Sequence, residues 1–206
     1  MARRSRFGYE GPESSSGWDA FAGLGRMGPS DENAGSITGW KMVLRQMMVH
    51  GLAFALVGNG YLLLMMVTMS PRIWGHHDYP EAVRAKVPPQ TKREKVAGAI
   101  VGLPWILWVL GFPVFSTYAM KSALGGEIPF LIAFLNPLVL LQLFNLSEVL
   151  ILDWLIVSRI TPGFVIIPGS TAADYKDMSH HYRGHVRASA AMVLISLVIG
   201  AVVSLT

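Results

Sequence analysis

The chain has no cysteine among its 206 residues. That excludes a disulfide framework, a thiolate zinc site, an iron–sulfur cluster and a thiol-redox relay, and it leaves the redox compartment unread. Charge is also scarce. Asp, Glu, Lys and Arg supply 15% of the residues, where a soluble domain carries about 25%. Phosphate-cradling glycine loops are missing, because the glycines between Gly23 and Gly28 follow no strand pattern. A His-Glu-x-x-His zinc motif is absent. A His-x4-Asp pattern of the acyltransferase type finds only His76 with Glu81, whose acid is the wrong one. Six histidines in the whole chain are too few for the box sets of membrane di-iron hydroxylases, although His181-x-x-x-His185 looks like one such box.

What is abundant is apolar. Hydrophobic residues make up 52% of the chain and the mean hydropathy is +0.43. A bilayer core of about 30 Å needs roughly 20 apolar residues of helix. Four stretches meet that length: 47–69, 96–120, 128–157 and 188–206. The expected fold is therefore all-α, a polytopic membrane protein with a four-transmembrane-helix bundle over 41–206. Residues 1–40, rich in Gly, Ser and balanced charge, read as a disordered polar tail. Its Arg3-Arg4-Ser5-Arg6 run is followed by Glu10 to Ser16 instead of an apolar region, so it does not read as a twin-arginine signal.

Within the spans, Gly51, Ala55 and Gly58 share one helix face, and Gly98-x-x-x-Gly102 offers a second small-residue face. Pro104, Pro113 and Pro137 each remove a backbone donor that neighbours must replace. His50 reads as a polar residue near one interface. Trp74, Trp105, Trp108 and Trp154 read as belt or packing residues.

The net charge of +4 and pI near 9.5 fit loop charge on a membrane protein better than a nucleic-acid surface. Loops 70–95 and 158–187 hold Arg72, Arg84, Lys86, Lys92, Arg93, Lys95, Arg159, Lys176, Arg183 and Arg187. The positive-inside rule places these loops in the cytoplasm of a multi-pass cell-membrane protein, with both termini outside.

The same two loops hold five of the six histidines. Thr171 with Asp174 fits a capping box, which predicts a helix from 172 through 187 into the last span. On that helix Asp174, Asp177, His181 and His185 would fall within roughly 80° of one another. These are suitable ligand types for Zn, Fe or Mn, with His77, His76 or Asp78 completing a shell. The alternative is an interfacial helix whose Asp and His side chains pair with each other. In the third span Gln142, Asn145, Glu148 and Asp153 form a polar arc. Ionisable groups in a span are costly and face protein or water. Glu148 and Asp153 are thus candidate catalytic residues, or members of ion pairs to Arg159, Arg183 or Arg187 that tie the third span to the fourth.

The series Asn145-Leu146, Leu152-Asp153-Trp154-Leu155, Ile167-Pro168-Gly169-Ser170, Tyr175-Lys176-Asp177 and His180-His181 resembles a group of small, uncharacterised bacterial four-span membrane proteins. The resemblance implies the architecture and adds no activity. Three functions remain open. The first is a non-catalytic accessory or structural component whose partner is a second copy or another membrane protein. The second is a metal-dependent enzyme acting on a lipid-like or quinone-like amphiphile at the cytoplasmic interface. The third is an oligomeric transporter or ion path lined by Gln142, Asn145 and Glu148.

Overall fold

A computed structural model of the chain describes residues 29–206 except His77, with side chains described from residue 39 onward. The described residues are helical with no strand. The elements are α1 (Pro29–Thr68), α2 (Pro71–Trp74), α3 (Glu81–Arg84), α4 (Lys92–Ala123), α5 (Phe130–Ser147), a π-helical continuation (Glu148–Ile160), a 3-10 turn (Ala172–Tyr175) and α6 (Ser179–Leu205). Four helical segments, Gly39–Thr68, Lys92–Ala123, Phe130–Ile160 and Ala172–Leu205, are long and apolar enough to cross a membrane. Residues 42–206 form one compact unit. Residues 29–40, read from sequence as tail, are helical and begin α1; Pro29 suits a first helical position, and acidic residues follow it at Asp31 and Glu32.

Local chemistry explains where the other helices begin. Thr91 and Glu94 form a full capping box, the Thr91 amide donating to Glu94 at 2.7 Å, so α4 starts before its apolar stretch does. Pro104 and Pro113 lie inside α4 without ending it; one turn beyond Pro113, the Thr117 hydroxyl donates to the Pro113 carbonyl at 2.7 Å. The helix expected from 172 through 187 is interrupted. The Thr171–Asp174 capping box forms but closes only the 3-10 turn. Asp177 then accepts from the Ser179 amide at 2.8 Å, and α6 starts there.

The third span changes character at Glu148, where the backbone passes from α to π pairing. An i→i+5 repeat stacks residues five apart on one face, a rarity in helices that recurs at functional sites. Glu148 and Asp153 share that spacing, as do the buried Leu152 and Val157. The segment closes with the Thr161 amide donating to Ile156 at 2.8 Å and with Thr161 at φ 51°.

Three apolar clusters run along the unit. Phe54, Ala55, Leu140, Leu141 and Phe144 form the middle one, against which Trp105 and Trp108 pack. Val43, Met47, Met120, Ala133 and Val203 belong to the cluster at one end. At the other end Tyr79, Val83 and Val87 from the first loop meet Val165, Ile167 and Tyr175 from the second over Leu152 and Val157. Tyr79 packs edge-on to Tyr175 with centroids 4.9 Å apart and donates to the Val165 carbonyl at 3.1 Å. Burial pushes its phenol well above the usual range, so it remains a neutral donor. Arg72 fastens the first loop by donating to Glu94 and to the carbonyls of Pro88 and Pro89, and this pairing holds its guanidinium pKa above the ordinary value.

Small residues sit where helices meet. A Cβ at Gly51 or Gly58 would come within 2.7 Å of Leu143 or Phe144 side-chain atoms. Of the predicted Gly98/Gly102 pair, only Gly98 is in close contact, with the Ile73 carbonyl; nothing lies within 4 Å of a Cβ at Gly102. Polar contacts add to this packing. Asn59 donates to Ser147 at 2.8 Å and joins α1 to α5. His50, read from sequence as interfacial, bonds Ser116 at 2.9 Å, and Asn136 donates to Ser116 and Thr117; these last three residues are fully buried.

Gly200 gives the sharpest packing test. A Cβ there would stand 2.9 Å from the Cα of Phe134, a backbone atom that cannot rotate away. Gly200→Ala should therefore destabilise the protein by about 1–3 kcal/mol. Gly60→Ala, which meets nothing within 4 Å, should be neutral or stabilising by up to about 1 kcal/mol through helix propensity. Reversible unfolding in detergent or bicelles measures both, and equal effects would contradict the packing described.

Candidate functional site

The polar arc of the third span faces α6, and its residues pair with it in steps along the helix. Ser189 donates to Gln142 Oε1 at 2.9 Å, and Gln142 Nε2 returns a bond to the Ser189 carbonyl at 3.2 Å. One turn further, Asn145 Nδ2 donates to the His185 carbonyl at 3.3 Å while its Oδ1 lies 2.6 Å from His185 Nδ1. Beyond that, Asp153 Oδ2 lies 2.7 Å from His185 Nε2 and 3.1 Å from His181 Nδ1. Asp153 thus ties the third span to the fourth, as one sequence reading expected, but its partners are two histidines and not Arg159, Arg183 or Arg187.

This geometry fixes where protons sit. A backbone carbonyl only accepts, so the Asn145 atom facing the His185 carbonyl is nitrogen, and Oδ1 is turned to the ring. His185 Nδ1 must then carry a hydrogen. Its Nε2 faces a carboxylate oxygen, so one further proton is shared along the Nε2 to Oδ2 line. Either His185 is an imidazolium beside a carboxylate, or it is neutral beside a carboxylic acid. The pair is net neutral in both forms, which suits a location where an isolated charge is costly. His181 is buried and donates its Nδ1 hydrogen to the same oxygen.

A cavity of about 700 Å³ opens beside this hub. That lies within the range of small-molecule sites, roughly 300–1,000 Å³. Its walls are largely apolar, with Trp105, Val109, Phe144 and Met192 toward the middle of the helices and Leu62, Met65 and Met66 near the loop end of α1. Asp78, Gln90, Lys95, Asp153, His180 and His181 lie toward the loops, and Glu148 and His185 between. Two lining groups have buried polar atoms with no hydrogen-bond partner among the described residues, Trp105 Nε1 and Gln90 Oε1. Native interiors satisfy nearly all such atoms, so two on one cavity wall point to a missing occupant. The half-buried Glu148 carboxyl lines the same cavity.

The ligand set predicted for a metal is divided by this fold. Asp174 accepts from Lys86 at 2.5 Å and from Thr171, Asp177 caps Ser179, and only His181 and His185 reach one another's neighbourhood, through Asp153. The physical reason is the interrupted helix: with the chain broken between Tyr175 and Ser179, no common helical face carries all four. His77 lies outside the described residues. Among the described residues no group of three or more His, Asp or Glu side chains is arranged to hold a metal ion. The two residues proposed as catalytic, Glu148 and Asp153, do line this cavity, brought to a common face by the π-helical repeat. Trp105, Gln90 and Lys95 were not singled out from sequence; Trp105 looks like any span tryptophan, and the other two look like loop residues until the loop folds back over the helix ends.

No family model, curated protein or solved structure matches this chain.

If Asp153 is the acceptor for both imidazoles, Asp153→Asn should cost roughly 2 kcal/mol of stability, the scale of a hydrogen bond to a charged group. Nitrogen-15 spectra of histidine-labelled protein should show His185 with a protonated Nδ1 in the parent. A His185 Nδ1 resonance of the unprotonated type would contradict the proton assignment.

Proposed function

We propose that this protein is a four-crossing integral membrane component that binds an amphiphile in the cavity beside Asp153, with the polar head toward the loops and the apolar chain toward the middle of the bundle. The reading rests on one observation above all: a largely apolar cavity of about 700 Å³ with a buried, unpartnered indole N–H at Trp105 and a buried, unpartnered amide oxygen at Gln90. An occupant whose head carries hydroxyl groups would supply an acceptor to the indole N–H and a donor to the amide oxygen, and its chain would cover the Met, Phe and Leu walls. The role is binding without a chemical step, since the one strong acid–base pair, Asp153 with His185, is occupied in holding two helices together.

The loops 70–95 and 158–187 are assigned to the cytoplasmic side by their excess of Lys and Arg. The cavity mouth then lies at the depth of the inner-leaflet headgroups. Binding of a bilayer amphiphile there requires no passage through water, because the ligand partitions laterally from the same apolar phase.

Mass spectrometry of the protein purified in mild detergent tests the reading. A single amphiphile species should be retained at about one per chain. Gly102→Leu, which projects into open space at the cavity wall, should fold normally and reduce that retention several-fold, the expected result of filling a preformed pocket. Gly60→Leu, on an exposed face with the same free space, should leave it unchanged. Equal retention in the parent and in both variants would rule the cavity out as the binding site.

A further inference from the structure

One face of α4 forms a wall of the cavity. Lys95, Gly98, Gly102, Trp105 and Val109 all line it, at alternating spacings of three and four residues. The two glycines differ in what they meet. Gly98 lies against α2, where an added Cβ would stand 2.9 Å from the Ile73 carbonyl oxygen, whereas nothing lies within 4 Å of a Cβ at Gly102. The face is therefore covered by α2 at Gly98 and bare at Gly102, ahead of Trp105.

Two buried polar atoms stand along this wall with opposite needs. Gln90 is 8% exposed and directly precedes Thr91, the N-cap of α4. Its Nε2 donates to the Arg72 carbonyl. A carbonyl only accepts, so the amide cannot be turned over, and the buried Oε1, without a partner among the described residues, is fixed as an acceptor in the cavity wall. Trp105 Nε1 can only donate, and it too is buried and unpartnered. Neighbouring indoles are satisfied: Trp108 donates to the Phe54 carbonyl at 3.3 Å and Trp74 to the Met69 carbonyl at 3.4 Å. The spacing of the two atoms follows from the backbone. Gln90 meets the carbonyl of Arg72, and the next carbonyl, that of Ile73, is the one that faces Gly98. Gly98 and Trp105 are seven residues apart, about 10 Å of helix rise, less the lean of a helical side chain toward the start of its helix. A single hydroxyl does not span that distance. Two oxygen groups several bonds apart do, the outer one donating to Gln90 and the inner one accepting from Trp105.

Charge narrows the head further. Three carboxyl groups line the cavity, Asp78, Glu148 and Asp153, against a single lysine, Lys95, and no arginine lines it. Asp153 is answered by His181 and His185, which are thereby committed. A phosphate would enter among carboxyls with one ammonium to meet it, a repulsive match. An alkylammonium head offers no acceptor to Trp105, and a simple ester offers no donor to Gln90. We infer that the amphiphile is an uncharged acylglycerol lying along the glycine face of α4, with a glycerol hydroxyl at Gln90 Oε1 and its ester carbonyl at Trp105 Nε1. This rests on the amphiphile-binding reading above and adds its chemical class. The acyl chain then continues past Trp105 toward Val109 and Met192.

Binding to the full chain in detergent, with three ligands that share one oleoyl chain, tests this: monooleoylglycerol, methyl oleate and oleoyl lysophosphatidic acid. Methyl oleate keeps the carbonyl and lacks the hydroxyl, so monooleoylglycerol should bind about fivefold or more tightly, the scale of one hydrogen bond to a buried group. Lysophosphatidic acid should bind more weakly than monooleoylglycerol. Trp105→Phe should weaken monooleoylglycerol and methyl oleate by the same several-fold factor, because both use the carbonyl. Gln90→Met should bring their ratio to about one while methyl oleate still binds, which also shows that the pocket has survived the loss of the bond to Arg72. Trp40→Phe, at an exposed position of α1, should change neither. The comparison of ligands in the parent protein needs no variant and decides on its own. Equal affinity for monooleoylglycerol and methyl oleate, or tighter binding of lysophosphatidic acid, overturns the acylglycerol class; if that binding is still blocked by Gly102→Leu, the amphiphile site stands. Binding of all three that is insensitive to Gly102→Leu overturns both.

Discussion

One carboxylate oxygen organises the candidate site. Asp153 Oδ2 receives the rings of His181 and His185, and those two bonds set the register of α6 against the third span. Everything else in the interface follows that register: Asn145 meets His185 about two turns along the third span, and Gln142 meets Ser189 another turn on. Hydrophobic burial cannot supply such alignment between two helices whose surfaces are apolar all round, because one sliding position is nearly as good as the next in lipid. Polar side chains with single partners discriminate between positions. The same bonds explain why the cavity stays open, since they hold the two helices at a fixed separation beside it.

The π-helical stretch is the backbone's contribution to this arrangement. In a regular α-helix Glu148 and Asp153 would lie well apart around the axis. With i→i+5 pairing they come to one side, so that Asp153 can clamp α6 while Glu148 reaches the cavity. The segment is also where the buried Leu152 and Val157 support the loop cluster of Tyr79, Val83 and Tyr175. Gln90, which donates to the Arg72 carbonyl, brings the first loop to the same cavity. A site made half from spans and half from loops is thus held by one irregular segment that touches both.

Much of this was legible in the residues. Four apolar stretches of sufficient length gave four span-capable helices, and the polar arc of Gln142, Asn145, Glu148 and Asp153 pointed to the face that meets α6. Glycines at 51 and 58 marked a close-packed seam. Other features were hidden for definite physical reasons. The helix expected from 172 onward required Asp177 to be a helical residue, yet its short side chain competes for the Ser179 amide and starts the helix afresh; that competition leaves no mark on periodicity. The predicted metal stripe fell apart with that helix. The partners of Asp153 were misassigned to arginines because attraction between formal charges ignores depth, and Arg159, Arg183 and Arg187 remain exposed. The π-repeat itself has no side-chain signature, although polar residues five apart in an apolar span are consistent with it. Trp105 and Lys95 became meaningful only when the loops were seen to fold over the bundle.

The central claim is that an amphiphile occupies the cavity and not merely the outer surface of the bundle. The most direct measurement is photocrosslinking in bilayers with a lipid that carries a diazirine near the end of its chain, followed by peptide mapping. Occupancy predicts labels on Trp105, Val109 and Met192, which line the inner cavity, and their loss in Gly102→Leu. Labels confined to outward-facing residues such as Leu56, Leu107 and Leu194, unchanged by that substitution, would contradict it.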